Sequence, residues 1–142
     1  MRRLACWLLL GIALPATAEV WEVKMLTRGA EGAMVYEPDH LHIAAGDTVR
    51  FLPTQSGHNA ASLTGLLPQG ADAFKSPLNK PFEHTFSVPG LYGVQCIPHL
   101  AMGMVMLIQV GEANSQAGLP DDLPARAKER FATQLQNLRA SR

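Results

Sequence analysis

Residues 91–111 read LYGVQCIPHLAMGMVMLIQVG, which is two apolar segments joined by the loop CIPHLAMGM (96–104). Short apolar segments bounded by Gly and Pro predict buried β-strands, here at 91–96 and 105–111. The loop between them contains a thiol at Cys96, an imidazole at His99 and thioethers at Met102 and Met104. The loop is therefore either a hydrophobic turn or a metal site, and the rest of the chain has to decide between them.

The strand pattern continues on the N-terminal side of this stretch. Candidate strands at 20–26, 34–38, 40–46, 48–53 and 82–88 are separated by turn clusters such as AAGD and SVPG. No helical period occurs between residues 19 and 111. Seven short strands predict an all-β fold, a Greek-key β-sandwich or barrel, in which 57–81 is a long and mostly irregular connection between the sheets.

The pattern changes after Gly111, where apolar residues recur at helical spacing with polar residues between them. This predicts an amphipathic C-terminal helix that covers one face of the sandwich, with Asp121 or Asp122 capping its amino end. The apolar positions are Leu123, Ala127, Phe131, Leu135 and Leu138.

The first 18 residues have the features of a secretory signal peptide. Arg2 and Arg3 precede an apolar run, and the small residues ATA (16–18) form a cleavage site. We therefore expect export without a membrane anchor. The expected product is a single monomeric domain at 19–142, with the sandwich at 19–111 and the helical tail at 112–142.

Charge and cysteine content narrow the function of that domain. Losing Arg2 and Arg3 leaves 10 of the 12 basic residues against 12 acidic ones, a net charge of 10 − 12 = −2. A near-neutral chain lacks the excess of positive charge that is typical of proteins that bind nucleic acid. Cys96 is then the one remaining cysteine, so it is either a buried, inert thiol or a metal ligand.

The spacing C-x2-H-x4-M from Cys96 through His99 to Met104 favours a metal. Two imidazoles, one thiolate and a weak axial thioether form the blue-copper ligand set, which requires a second imidazole from elsewhere. His58, in SGHNAAS directly after the strand at 48–53, is the candidate, because loops at the same end of a Greek-key sandwich can meet.

Other histidines and methionines near these positions have simpler explanations. Met102 and Met106 alternate with Met104, and only the spacing to Cys96 and His99 favours Met104. His40, His42 and His84 alternate with apolar residues in their strands, which predicts exposure to solvent.

Three stretches of the sequence, together with the helical tail, resemble the pseudoazurins. The stretches are MVYEPDHLHIAAGDTVRFLPT, GHNAASLTGLLPQGADAFKS and YGVQCIPHLAMGMVMLIQVG. These are small periplasmic blue-copper proteins of the cupredoxin class. The resemblance implies one type 1 copper ion, cycling between Cu(I) and Cu(II), held by His58 Nδ1, Cys96 Sγ, His99 Nδ1 and Met104 Sδ.

The same resemblance implies a function and partners. The family carries electrons to denitrification enzymes such as copper nitrite reductase, with c-type cytochromes as donors. Relatives often have lysines where this chain has Ser56 and Gln95, although Lys75 and Lys80 remain. The cupredoxin pattern further implies that the backbone N–H of Asn59 donates to the cysteine sulfur while its side chain ties the two ligand loops together. Pro98 has no N–H, so we expect that sulfur to have a single backbone donor.

Two other functional classes remain to be compared with an electron carrier. An enzyme of the multicopper type needs a further copper centre, commonly connected through a His beside the Cys, but Gln95 and Ile97 flank Cys96. A periplasmic copper carrier or storage protein would have an incomplete, solvent-facing ligand set. We therefore expect no enzymatic activity, with copper storage as the alternative function.

Overall fold

Residues 16–112 and 118–141 are described by the structure, which is a computed structural model. Most of the predicted signal peptide, including Cys6, and part of the predicted tail lie outside these residues. The described chain contains eight strands, one 3₁₀ segment and one α-helix. The strands are β1 (Val20–Gly29), β2 (Gly32–Glu37), β3 (His40–Ile43), β4 (Thr48–Leu52), β5 (Ala61–Ser62), β6 (Phe82–Thr85), β7 (Gly90–Gln95) and β8 (Val105–Val110); the 3₁₀ segment is Ile97–Met102, and α1 is Ala125–Ala140.

The strands form two four-stranded sheets, with orders β2-β1-β4-β6 and β3-β8-β7-β5. Pairing is antiparallel except between β1 and β4 and between β3 and β8, which are parallel. Parallel neighbours cannot be joined by a hairpin, so the chain crosses between the sheets as it does in a Greek key. The predicted all-β sandwich with a C-terminal helix is confirmed.

The core lies between the two sheets and follows the alternation of the strands. In β4, Val49 and Phe51 are fully buried, while Arg50 between them is partly exposed and pairs with Glu83 at 2.6 Å. All six residues of β8 are buried. One of its faces, including Met106, packs in the sandwich core, and the other, including Leu107, lies under α1.

The helix covers the outer face of the β8 sheet, as predicted. Phe131 and Leu138 are buried there and pack with Leu63, Leu66 and other apolar residues of the sheet and of the 57–81 connection. None of the helices in the described ranges is long and apolar enough to cross a lipid bilayer.

The structure adds one element to the sequence prediction and corrects another. The 57–81 connection is mostly irregular, as predicted, but it contains the two-residue strand β5, which pairs with β7 through Ala61 opposite Gln95. The helix begins at Ala125 with no side-chain cap, because Pro124 occupies the N-cap position in an extended conformation. Asp121 and Asp122 are exposed residues upstream of that position.

Candidate metal centre

His58 is delivered by the connection between β4 and β5. Gly57 before it has φ of +99°, a left-handed conformation that glycine adopts without strain and that turns the chain inward. His58 is only 1% exposed, and its Nε2 lies 3.0 Å from Thr27 Oγ1 on β1. If Nε2 donates this hydrogen bond, the lone pair of Nδ1 is free to face the interior.

The 96–104 loop joins β7 to β8 and is closed by its own backbone. Cys96 N–H donates to the Met104 carbonyl at 3.0 Å, and Met104 N–H donates to the His99 carbonyl at 3.1 Å. Gly103, at φ of +83°, ends the 3₁₀ segment and returns the chain into β8. These bonds hold Cys96, His99 and Met104 in one rigid turn, and both Cys96 and Met104 are fully buried.

The two ligand loops meet at one end of the sandwich. Cys96 Sγ lies 3.8 Å from His58 Nδ1 and 3.5 Å from His99 Nδ1, and the two Nδ1 atoms are 3.1 Å apart. Ligand atoms of the three residues all lie within 4.8 Å of one another. Met104 belongs to the same buried cluster as Cys96.

The separations between these donor atoms fit a single metal ion. With an ion about 2.0 Å from each nitrogen and 2.3 Å from the sulfur, ordinary distances for a first-row divalent metal, the angles at the ion would be roughly 100° to 125° at these spacings. Two imidazoles with a thiolate and a nearby thioether suit copper in both of its biological oxidation states. The residues present therefore fit copper.

Asn59 connects the two ligand loops, as predicted. Its Oδ1 accepts a hydrogen bond from the Ile97 N–H at 2.9 Å, and its Nδ2 donates to the Ser76 carbonyl at 3.3 Å. Its carbonyl accepts the buried Tyr36 hydroxyl at 2.7 Å. The residue after one histidine is thereby bonded to the residue after the cysteine.

Burial shifts the pKa values of two of the donor groups. It raises the pKa of the Cys96 thiol, against the backbone N–H groups of Asn59 and His99, which lower it. The His99 N–H donates to the Cys96 carbonyl at 3.1 Å, so the expectation of a single backbone donor to the sulfur, based on Pro98, stays a prediction. Burial, and then the proximity of His99, lower the pKa of His58, which favours the neutral imidazole that binds metals.

The ligand atoms of the other described histidines do not converge with those of His58, Cys96 and His99. His42 is exposed on β3, whereas His84 is half-buried and stacks on Phe74 with ring centroids 4.3 Å apart, so its predicted exposure was wrong. Met102 is 50% exposed, and Met106 packs in the core opposite Val94.

Sequence reasoning missed three residues around the site. Thr27 orients His58 from a strand 31 residues away, and its sequence context carries no signal for that role. On α1, Arg130 bonds to Gly103 in the ligand loop and Gln134 to Val105 at the start of β8. Gln134 did carry a signal, because it falls on the apolar stripe between Phe131 and Leu138.

Comparison with known proteins agrees with this geometry. Residues 23–111 match the model of the family described as copper binding proteins, plastocyanin/azurin family. The pseudoazurin of Paracoccus pantotrophus is 43% identical over 129 residues, which cover 89% of this chain and 89% of that protein.

Solved structures give the same result. The crystal structure of pseudoazurin from Methylobacterium extorquens AM1 matches with a TM-score of 0.80 and 33% identity, covering 84% of this chain and 98% of that one. The pseudoazurin of Hyphomicrobium denitrificans matches with a TM-score of 0.72 and 31% identity, covering 83% and 97%. The chain therefore belongs to the plastocyanin/azurin family of copper binding proteins and, within it, to the pseudoazurins, which are copper electron carriers.

Proposed function

We propose that His58, Cys96, His99 and Met104 hold one copper ion with which this chain carries single electrons between other redox proteins. The observation that carries the proposal is the convergence of two imidazole nitrogens and one thiol sulfur within 4.8 Å, from loops that are 38 residues apart at His58 and Cys96. When bound, copper accepts and releases one electron by changing between Cu(II) and Cu(I).

The protein's part is to hold the donor atoms still during that change. Thr27 fixes the ring of His58, and Asn59 bonds the His58 loop to the Cys96 loop. The backbone bonds from Met104 to Cys96 and His99 fix the turn itself. Because these contacts are made between protein groups and do not involve the metal, little reorganisation is needed in either oxidation state, and small reorganisation favours fast electron transfer.

The route for the electron is His99. It is half-buried, whereas Pro98, Ala101 and Met102 beside it are exposed. An apolar surface around one partly exposed ligand can dock briefly against a partner without strong charge pairing. This arrangement suits a carrier that has to dissociate after each transfer.

The proposed partners are an oxidoreductase of denitrification, such as copper nitrite reductase, as acceptor and c-type cytochromes as donors. Lys75 and Lys80 are exposed and supply positive charge for an acidic partner surface, while Ser56 and Gln95 supply none. We propose that the working form is the monomeric single domain 19–142, released into the periplasm by cleavage after Ala18.

Burial favours electron transfer over copper storage. His58 is 1% exposed, and Cys96 and Met104 are fully buried, so exchange of the ion with a chaperone would require the ligand loops to open. A storage protein needs such exchange to be easy. Pseudoazurins are also electron carriers rather than enzymes, which agrees with the absence of a His beside Cys96.

The test of the ligand set is a visible absorption spectrum recorded during addition of Cu(II). Only a thiolate ligand gives the intense sulfur-to-copper charge-transfer band, so we expect an intensely coloured protein and a colourless Cys96→Ser variant. His42→Ala, which changes an exposed histidine outside the cluster, is the control and should keep the colour. An intensely coloured Cys96→Ser variant would refute the ligand assignment.

The partner is tested separately by mixing the reduced protein with purified copper nitrite reductase in a stopped-flow instrument. We expect oxidation of the protein at a rate that depends on its concentration and that falls when Met102 is replaced by Glu. A reduced protein that remains reduced would contradict the proposed acceptor while leaving the ligand set intact.

A further inference from the structure

The strand that carries Met104 into the sheet extends beyond its neighbour. β8 begins at Val105, but its parallel partner β3 pairs with it only from His40, opposite Leu107. Leu107 N–H donates to the Asp39 carbonyl, which places the odd-numbered residues of β8 on the β3 side. The carbonyls of Gly103 and Val105 therefore point beyond the start of β3, where this strand cannot donate hydrogen bonds to them.

Helix α1 supplies the missing donors. Gln134 Nε2 donates to the Val105 carbonyl at 2.9 Å. Arg130 Nη1 donates to the Gly103 carbonyl at 2.8 Å, and the other terminal nitrogen of the same guanidinium donates to the Ala33 carbonyl at 2.7 Å. The helix thus occupies the place of the absent strand and connects the start of β8 to β2.

The helix also touches Gly103 directly. A Cβ atom placed on Gly103 would lie 2.6 Å from Arg126 Cγ, closer than real Cβ contacts allow, and 3.1 Å from the Arg126 carbonyl oxygen, tighter than most of them. The residue before Met104 is therefore pressed against the backbone of α1. Helix and ligand loop cannot shift independently at this point.

The main chain around Met104 is consequently held both by the ligand loop and by α1. Its own N–H and C=O bond to His99 and Cys96 within the ligand loop, and the carbonyls immediately before and after it bond to Arg130 and Gln134. The ligand loop and α1 each fix a different part of the same short segment.

Packing alone does not explain why the buried residue at position 134 is a glutamine. It is 1% exposed, and its Oε1 has no hydrogen-bond partner among the described residues. An unsatisfied buried acceptor costs stability, and an apolar side chain of similar size would avoid that cost. What the amide provides, and leucine would not, is the bond to the Val105 carbonyl.

We propose that Arg130 and Gln134 are positioning residues that fix the main chain on both sides of Met104 and thereby set how closely its thioether approaches the copper. The inference rests on the proposed function, in which Met104 is the axial ligand. In blue-copper sites the axial ligand tunes the reduction potential, and outer contacts that orient ligands change the properties of the metal. The C-terminal helix then acts on the redox centre in addition to covering the sheet.

The test compares Gln134→Leu and Arg130→Lys with two matched controls on the same helix. Gln136→Leu and Arg139→Lys make the same chemical changes at exposed positions. For the copper-loaded protein we expect both test variants to change the intensity ratio of the visible charge-transfer bands. Their reduction potentials should rise in the direction that Met104→Leu raises it, but by less, while both controls match the parent.

A second readout needs no metal. In the copper-free protein, ¹³C-methyl NMR of labelled methionines should show the Met104 methyl signal shifted or broadened in Gln134→Leu and Arg130→Lys. The Met25 signal, from a fully buried methionine of β1, should be unchanged. Gln134→Leu removes an unsatisfied group and should fold; Gln134→Met serves as a second test of the same bond.

The two failures are distinguishable. If the parent protein gives no charge-transfer colour, or if Met104→Leu changes neither spectrum nor potential, the proposed function fails. If the parent and Met104→Leu behave as expected, but the test variants differ from the controls only in melting temperature, the positioning role is wrong and the two side chains serve stability alone.

Discussion

Asn59→Ala tests whether the two ligand loops are held together before copper binds. The asparagine is 4% exposed and makes two side-chain hydrogen bonds, from Ile97 N–H at 2.9 Å and to the Ser76 carbonyl at 3.3 Å. A hydrogen bond contributes about 0.5–1.5 kcal/mol net, and an orphaned buried partner costs about 1–3 kcal/mol. The second bond is long, and Ile97 is 43% exposed, so water can reach part of the freed N–H.

We therefore expect Asn59→Ala to lower the free energy of unfolding by about 2 kcal/mol, in the middle of the range for one good and one weak hydrogen bond. For a domain of this size, roughly 3–6 °C of melting temperature corresponds to each kcal/mol, so we expect the copper-free variant to melt about 6–12 °C lower. Differential scanning calorimetry of the copper-free protein measures this. The copper-loaded variant should also give broader EPR lines, because the Cys96 loop loses its connection to the His58 loop.

Asn137→Ala is the matched control, because Asn137 is an exposed residue of α1 and belongs to neither ligand loop. It should leave the melting temperature unchanged or slightly raised, since alanine favours helix. If Asn59→Ala melted within about 1 °C of the parent, a difference well below 1 kcal/mol, and gave the parent's EPR spectrum, preorganisation by Asn59 would be refuted.

Three further predictions follow from other parts of the structure. Phe131→Ala should destabilise the copper-free protein by about 3–5 kcal/mol, because a fully buried ring between α1 and the sheet is lost; a loss under about 1 kcal/mol in urea unfolding would mean that the helix is a peripheral appendage. The pKa of Asp47 is lowered chiefly by the Glu19 N–H, and further by the Trp21 indole N–H, while burial acts in the opposite direction. The Asp47 carboxylate should therefore stabilise the fold above about pH 4, the ordinary carboxyl pKa. This stabilisation should be lost as the pH falls through the lower pKa of the folded state. The stability difference between the parent and Asp47→Asn should therefore shrink in acid, and a constant difference would contradict this account. Met104→Leu should keep the colour and raise the reduction potential, since losing the thioether disfavours Cu(II) more than Cu(I); an unchanged or lowered potential would point to another axial ligand.

The parts of the fold that follow local pattern could be predicted from the sequence. The alternation in β4 has the period of a strand, the apolar runs of β7 and β8 have the length of buried strands, and the spacing from Ala127 to Leu138 has the period of a helix. Cys96, His99 and Met104 belong to one loop, so their spacing alone placed three candidate ligands together. His58 required the further assumption that two loops share one end of the sandwich.

The parts that depend on long-range contacts could not be predicted. β5 is a strand only because Ala61 lies opposite Gln95, and two residues have no period of their own. The N-terminus of α1 was misplaced because Pro124 fixes an extended conformation that leaves the two aspartates outside the helix. The bond from Gln134 to Val105 exists because β8 is longer than β3, which is a property of the assembled sheet.

A spectroelectrochemical titration of the copper-loaded protein tests the central claim most directly, because it measures charge-transfer colour, electron count and copper retention together. A rigid set of His58, Cys96, His99 and Met104 predicts a reversible one-electron curve, with one copper per chain retained through repeated cycles and a band that vanishes on reduction and returns on oxidation. Loss of copper on reduction, or a spectrum without the intense charge-transfer band, would contradict the assignment of this chain as a carrier of single electrons.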